Sequence, residues 1–147
     1  MPDHHRRHVL QTGLALGALL GWPRAQACEF ETGTLRVTHP WTRATGPGED
    51  WAVLGMKLDE VSEADRLVLV QTPVATSAVM AGKGARPDIS LAIGVGEQLV
   101  LHPSGTWIEL RGLKHPLLTG RAYPLVLGFE KSGVFNTSVT VDYERFL

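Results

Sequence analysis

Residues 123–133 read Tyr123-Pro124-Leu125-Val126-Leu127-Gly128-Phe129-Glu130-Lys131-Ser132-Gly133. Large apolar side chains recur at every second position, at Tyr123, Leu125, Leu127 and Phe129. A period of two places such side chains on one face of an extended strand. The run ends in Lys131-Ser132-Gly133, which is a turn signal. The stretch therefore predicts a β-strand that packs one face into a core and then turns back.

The rest of the chain repeats this pattern. Short alternating or β-branched segments are separated by turns rich in Gly and Pro, and no segment shows a convincing helical period. The predicted strands cover residues 35–39, 51–59, 66–71, 74–80, 88–93, 98–102, 106–111, 123–130 and 137–143. About nine short strands, spaced by roughly ten residues, predict one all-β antiparallel sandwich or barrel.

The alternation also assigns faces to these strands. In the strand predicted for residues 51–59, the core-facing side chains are Ala52, Leu54, Met56 and Leu58. In the strand predicted for residues 106–111, Ile108 and Leu110 face the core, so Trp107 and Glu109 point the opposite way. Met80 also falls on a core face. A buried methionine usually fills a gap in packing, so neither Met56 nor Met80 is expected to be a metal ligand.

Composition excludes several classes of protein. The chain has 147 residues, enough for one domain, and a formal net charge of −1 with no run of Lys or Arg. A nucleic-acid surface is therefore not expected. Cys28 is the only cysteine, which excludes an internal disulfide framework and any CxxC metal or redox site. Hydrolase, zinc-protease and P-loop motifs are absent from the sequence, so no enzymatic activity is predicted.

Residues 1–27 are predicted to be an export signal. Arg6-Arg7 precedes a short apolar stretch, and the segment ends in the small-residue pattern Ala25-Gln26-Ala27. The paired arginines suggest the twin-arginine route, and an ordinary Sec signal is the alternative. Residues 28–147 then form the mature domain, expected in the periplasm. Cleavage after Ala27 would expose Cys28 either as a free thiol or as a lipid attachment site, and only a lipid would bind the protein to a membrane.

Several motifs together resemble the PCu(A)C copper chaperones, and the likeness spans residues 30–143. The most specific are His39-Pro40-Trp41-Thr42-Arg43-Ala44-Thr45 and Phe129-Glu130-Lys131-Ser132-Gly133, supported by Thr72-Pro73-Val74-Ala75 and Leu101-His102-Pro103-Ser104-Gly105. This resemblance implies a cupredoxin-like antiparallel β-sandwich of Greek-key type, with Cu(I) bound in the periplasm and delivered toward the CuA centre of cytochrome oxidase. It also implies a site of two His and two Met, whose neutral, polarisable donors suit Cu(I).

This chain departs from that ligand pattern. The first expected His falls on Ala81, and the expected His-x-Met pair falls on Trp107-Ile108-Glu109. The loop that would carry the other Met is shortened to residues 82–87, and no Met follows Met80. The sequence therefore predicts a family member that has lost its Cu(I) site, so no cofactor is expected. Copper would be expected only if the resemblance outweighs the missing ligands.

Three residues remain as candidates for a functional site: His102, Glu109 and Trp107. His39, His102 and His115 are scattered along the chain, and His102 lies closest to the position of the family's site. His102 and Glu109 are weak candidates for a Cu(II) or Zn site, since imidazole and carboxylate suit harder ions. Trp107 is a candidate partner-binding residue, and the alternative is that its indole folds over neighbouring loops. The partner would be another periplasmic copper-handling or oxidase-assembly protein; alternatively, the domain is a metal-free binding or scaffold module.

Overall fold

The computed structural model describes residues 29–143 and contains only β-strands and connecting turns in that range. The strands are β1 (Glu29–Glu31), β2 (Arg36–Thr42), β3 (Trp51–Asp59), β4 (Asp65–Gln71), β5 (Ser77–Gly82), β6 (Leu91–Ile93), β7 (Leu99–Leu101), β8 (Thr106–Arg111), β9 (Ala122–Phe129) and β10 (Gly133–Val141). The all-β prediction is confirmed. The export signal and Cys28 lie outside the described residues. Within the described part of the chain, no helix has the length and apolarity needed to cross a membrane.

The strands form one connected sheet that curls around the core. Its order is β5-β8-β3-β2-β10-β9-β4-β6, with β1 added to β2 and β7 added to β3. All pairs are antiparallel except β10 with β2, where Thr140 and Val141 run parallel to Trp41 and Thr42. This one parallel pair is the exception to the predicted antiparallel arrangement, and it makes the sheet mixed. The C-terminal strand closes the sheet beside β2, which is distant in sequence, and periodicity within a strand does not identify such a neighbour.

The predicted strand faces are confirmed where they matter for the core. Ala52, Leu54, Met56 and Leu58 are buried, and so are Ile108, Leu110, Leu125, Leu127 and Phe129. Met80 is also buried in this core. Each fully buried Leu or Met stabilises the fold by about 1.5–3 kcal/mol relative to an exposed side chain. Tyr123 is half-buried, and its hydroxyl oxygen accepts a hydrogen bond from the Leu118 backbone N–H at 3.3 Å.

One predicted strand starts later than expected. Residues 74–76 were predicted to be extended but belong to a turn, and β5 begins at Ser77. The Ala75 N–H donates to the Thr72 carbonyl oxygen, and the Thr72 hydroxyl donates to the Pro124 carbonyl oxygen. Threonine side chains that bond to nearby backbone favour turns over strands. This turn joins β4 to β5, which lie near opposite edges of the sheet in its strand order.

A buried carboxylate fixes the turn between β9 and β10. Asp65 accepts hydrogen bonds from the backbone N–H groups of Lys131 (2.8 Å) and Ser132 (3.0 Å), and from the Ser132 hydroxyl (2.6 Å). The Arg66 backbone N–H donates to the same carboxylate at 2.8 Å. Burial opposes ionisation of Asp65, but these hydrogen bonds outweigh it and hold the pKa of this carboxyl below its usual range. The Phe-Glu-Lys-Ser-Gly motif is thus held in place by Asp65.

Candidate functional site

The positions where the family resemblance implies copper ligands lie together on the outer face of β5 and β8. Ala81 pairs directly with Trp107, and Val79 pairs with Glu109. Directly opposed residues in an antiparallel pair have Cβ atoms about 4.5–5.5 Å apart. Trp107 and Glu109 are two residues apart on β8 and so share this face. Positions 81, 107 and 109 are therefore neighbours on one side of the sheet.

A second apolar cluster covers this face. Trp41, Val53, Val79 and Ala81 are all buried, at 9%, 5%, 8% and 8% exposure, yet none of them belongs to the main core. Together with Trp51 and Trp107, we call these residues the outer aromatic cluster. The Trp41 indole packs so closely on Gly55 of β3 that a Cβ at position 55 would overlap its ring. A glycine inside an apolar strand often marks such a close approach.

Trp107 lies across the start of the shortened loop. Its indole covers Gly82, where a Cβ atom would come within 2.9 Å of the Trp107 Cδ1 atom, and the ring is half-buried. Lys83 is held beside it, because its N–H donates to the Gly105 carbonyl oxygen and its carbonyl oxygen accepts from the Thr106 hydroxyl. The indole thus contacts the start of the loop while the residue stays partly accessible, and both interpretations of Trp107 remain predictions.

Within the outer aromatic cluster, Trp51 is more exposed than Trp107. Its ring centroid lies 5.9 Å from that of Trp107, with a tilt of 42°, and the residue is 49% exposed. Sequence reasoning did not select Trp51 or Trp41 as site residues. Trp51 shares the odd-numbered face of β3 with Val53, but only the pairing of β3 with β8 brings it to Trp107.

His102 and Glu109 each contact other partners. The Glu109 Oε1 atom accepts a hydrogen bond from Arg111 Nε at 2.7 Å. The His102 Nδ1 atom accepts from the Ser104 backbone N–H at 3.1 Å, and its ring lies 5.8 Å from that of Trp41. His102 bonds to Thr106 at the start of β8, whereas Glu109 lies three residues further on, about 10 Å along the strand. Among the described residues, no third His, Cys, Asp or Glu side chain joins these two to form the predicted Cu(II) or Zn site.

Within residues 29–143, the other two histidines are His39 and His115. His39 adopts a positive φ of 50°, and its Nε2 atom lies 2.6 Å from Asp142 Oδ2. The His115 ring packs near Tyr123, with 5.7 Å between centroids.

A separate ion-pair network joins Arg36 to Asp59, where hydrogen bonds from Arg36 and Lys57 lower the pKa of the Asp59 carboxyl to about 2. None of these groups is one of the residues that define the outer aromatic cluster.

The donor set on this face does not fit Cu(I). The three positions carry a methyl group, an indole and a carboxylate already paired with Arg111, whereas Cu(I) prefers thioether and imidazole donors. Met56 and Met80 are buried in the main core, 1% and 4% exposed. Among residues 29–143, no group of three or more His, Cys, Asp or Glu side chains is placed to hold a metal ion.

A family model described as "Putative lipoprotein LpqE-like" matches residues 35–141. No curated protein sequence matches the chain. Among solved structures, the copper-bound PCuAC domain from PmoF2 is 25% identical, with a TM-score of 0.71, covering 78% of this chain and 97% of that domain. The apo PCuAC domain from PmoF1 is 28% identical, with a TM-score of 0.70, covering 78% and 98%. Apo-DR1885 from Deinococcus radiodurans is 25% identical, with a TM-score of 0.62, covering 98% and 95%. These matches confirm the cupredoxin-like fold.

Proposed function

The chain belongs to the LpqE-like family, which is related to the PCuAC copper-chaperone domains, and from this membership we propose that it is an exported PCuAC-type protein without a Cu(I) site. PCuAC domains are non-catalytic metal-binding domains, so the proposal assigns no reaction to the chain. Function depends on the chemistry of the site rather than on the fold. A solved relative is described as copper-bound, whereas this chain presents a packed aromatic surface at the positions the resemblance assigns to ligands.

The observation that carries the proposal is the filling of the site by the outer aromatic cluster. Ala81 and Val79 are buried under this face, and Trp107 lies over Gly82. A metal ion there would have to displace packed apolar groups, and positions 81, 107 and 109 would offer it no sulfur donor. Burying an ion without ligands is strongly unfavourable. Copper held by ligands shared with a partner protein is the competing account.

The role we propose for this surface is protein binding. Trp51 is exposed and Trp107 half-buried, and tryptophan is enriched among the residues that dominate binding at interfaces. The resemblance suggests a partner among periplasmic copper-handling or oxidase-assembly proteins. Delivery of copper toward CuA would then require the partner to carry the ion.

The test is the copper content of the full chain, produced with its own export signal in cells grown with added copper. We expect elemental analysis of the purified protein to find no more copper than in a protein-free blank. The triple variant Ala81→His, Trp107→His and Glu109→Met, prepared in parallel, should retain copper and so controls for loss during purification. One copper ion per unmodified chain would overturn the proposal.

The N-terminus is proposed to decide where the protein resides. Export through residues 1–27 would leave Cys28 first, and the family description as lipoproteins favours a lipid on its thiol. Because β1 begins at Glu29, an acylated Cys28 would hold the sheet beside the membrane with almost no linker. The intact mass of the same purified protein distinguishes the two states, since a diacylglycerol adduct supports anchoring and an unmodified Cys28 contradicts it.

A further inference from the structure

The two ends of the sheet leave a gap between β4 and β5. β6 pairs only with residues 65–67 of β4. Residues 69–71 of β4 pair with β9 along one edge. The opposite edge of residues 68–71, which continues the edge that β6 occupies at residues 65–67, has no strand partner within the described chain. β5 pairs with β8 along its length, and on its other edge the described part of the chain forms a single bridge, between Met80 and Arg86. Two free strand edges therefore face one another across the gap.

A groove of about 520 Å³ occupies this gap. Val70, Ala75 and Leu110 form its apolar floor, and all three are buried. Val68 and Ile89 line it nearer the surface, with Val68 42% exposed. Among the described residues, every side chain that lines the groove is uncharged, although charged residues make up 20% of the sequence. Burying a charge against such a lining is costly, so the groove selects an uncharged occupant.

The backbone of β5 offers hydrogen bonds toward the groove. Met80 uses both its N–H and its carbonyl oxygen to bond Arg86, at 3.1 Å each, on the side away from β8. In an antiparallel strand, residues two apart direct these groups to the same side. Ala78, which also lines the groove, therefore directs its N–H and carbonyl oxygen away from β8. Neither group makes a backbone hydrogen bond on that side within residues 29–143.

We propose that this groove is a strand-acceptor site for an extended, uncharged segment of a partner protein. The segment bonds its main chain to Ala78 and directs alternate apolar side chains toward Val70 and Leu110, the mode known as β-strand addition. The free edge of residues 68–71 is about 13 Å long, which accommodates about four residues. Free edges of this kind recruit other strands, and charged edge residues normally prevent it. The site is separate from the outer aromatic cluster. A result that contradicts the proposed function therefore does not contradict the strand-acceptor site, and the reverse also holds.

The probe is the capped peptide acetyl-Val-Thr-Val-Thr-Val-amide, titrated into the isotopically labelled exported protein and followed by backbone amide NMR shifts. We expect the shifts to concentrate at Ala78, Val68 and Gln71. A peptide with proline at its centre lacks the N–H needed for pairing and should lose binding. Val68→Lys places a charge at the free edge and should weaken binding by about tenfold or more. Val100→Lys, at a valine that is 57% exposed on β7, is the matched control and should bind as the unmodified protein does.

Three outcomes would overturn the proposal. The first is no shift around the groove at millimolar peptide. The second is equal binding of the proline peptide, which would indicate an apolar ligand site without strand pairing. The third is equal weakening by Val68→Lys and Val100→Lys, which would indicate nonspecific contact.

Discussion

Replacing Ala81 and Trp107 with histidine and Glu109 with methionine is expected to create a Cu(I) site on a surface that lacks one. Position 81 lies directly opposite position 107, and position 109 shares that face two residues further along β8. Two imidazoles and a thioether would therefore lie close together on one face. These soft, neutral donors suit Cu(I). We expect affinity at least about a thousandfold above that of the unmodified protein, equivalent to about 4 kcal/mol.

The measurement is competition for Cu(I) with a chromophoric chelator under anaerobic conditions. The matched control replaces Ala81 and Trp107 with asparagine and Glu109 with leucine, which keeps similar side-chain shapes but removes the soft donors. Urea unfolding verifies that both variants are folded, since loss of the Trp107 indole removes packing on Gly82 and Trp51. A folded triple variant that does not compete for Cu(I) would show that these three positions are insufficient without a donor in loop 82–87.

Replacing Asp65 with asparagine is expected to destabilise the fold by about 2–4 kcal/mol at neutral pH. An amide presents one acceptor oxygen and an NH₂ group, so it cannot accept all the hydrogen bonds from Lys131, Ser132 and Arg66. Asp88→Asn, at an exposed loop carboxylate, is the matched control and should change the free energy of unfolding little. Urea denaturation of the three proteins measures the difference, and equal midpoints for Asp65→Asn and Asp88→Asn would contradict this role of Asp65.

The stability that Asp65 contributes to the fold should depend on pH in one direction. The folded-state pKa of Asp65 lies below its usual value, so its ionised form stabilises the fold at pH values above the unfolded pKa, about 3.9. That stability is lost as the pH falls through the folded-state pKa, and the gap between the unmodified protein and Asp65→Asn should narrow there. Asp59, whose pKa is lowered to about 2, contributes in the same sense to both proteins and does not affect the difference. A gap that widens in acid would contradict this assignment.

Much of the fold could be predicted from local pattern. Period-two alternation correctly placed Leu54, Met56, Ile108 and Leu110 in the core, because it reports which face of a strand is buried. It does not report which strands are neighbours, so the parallel pairing of β10 with β2 was missed. β1 was also missed, since three residues are too few to show a period.

The candidate site was predictable only in part. Trp107 and Glu109 could be assigned to the outer face from β8 alone. Trp51 and Trp41 reach the same surface through the registers of β3 with β8 and of β2 with β3, which no single strand encodes. The sequence feature that could have predicted the position of Trp41 was Gly55, because a glycine within an apolar strand suggests close contact with a bulky neighbour.

The most direct test of a lost Cu(I) site is anaerobic titration of the unmodified, purified protein with Cu(I) against a chromophoric chelator. The account predicts that the chelator keeps the copper even with the protein in large excess, because Ala81, Trp107 and Glu109 supply no soft donor. Withdrawal of one equivalent of Cu(I) per chain from the chelator would contradict it.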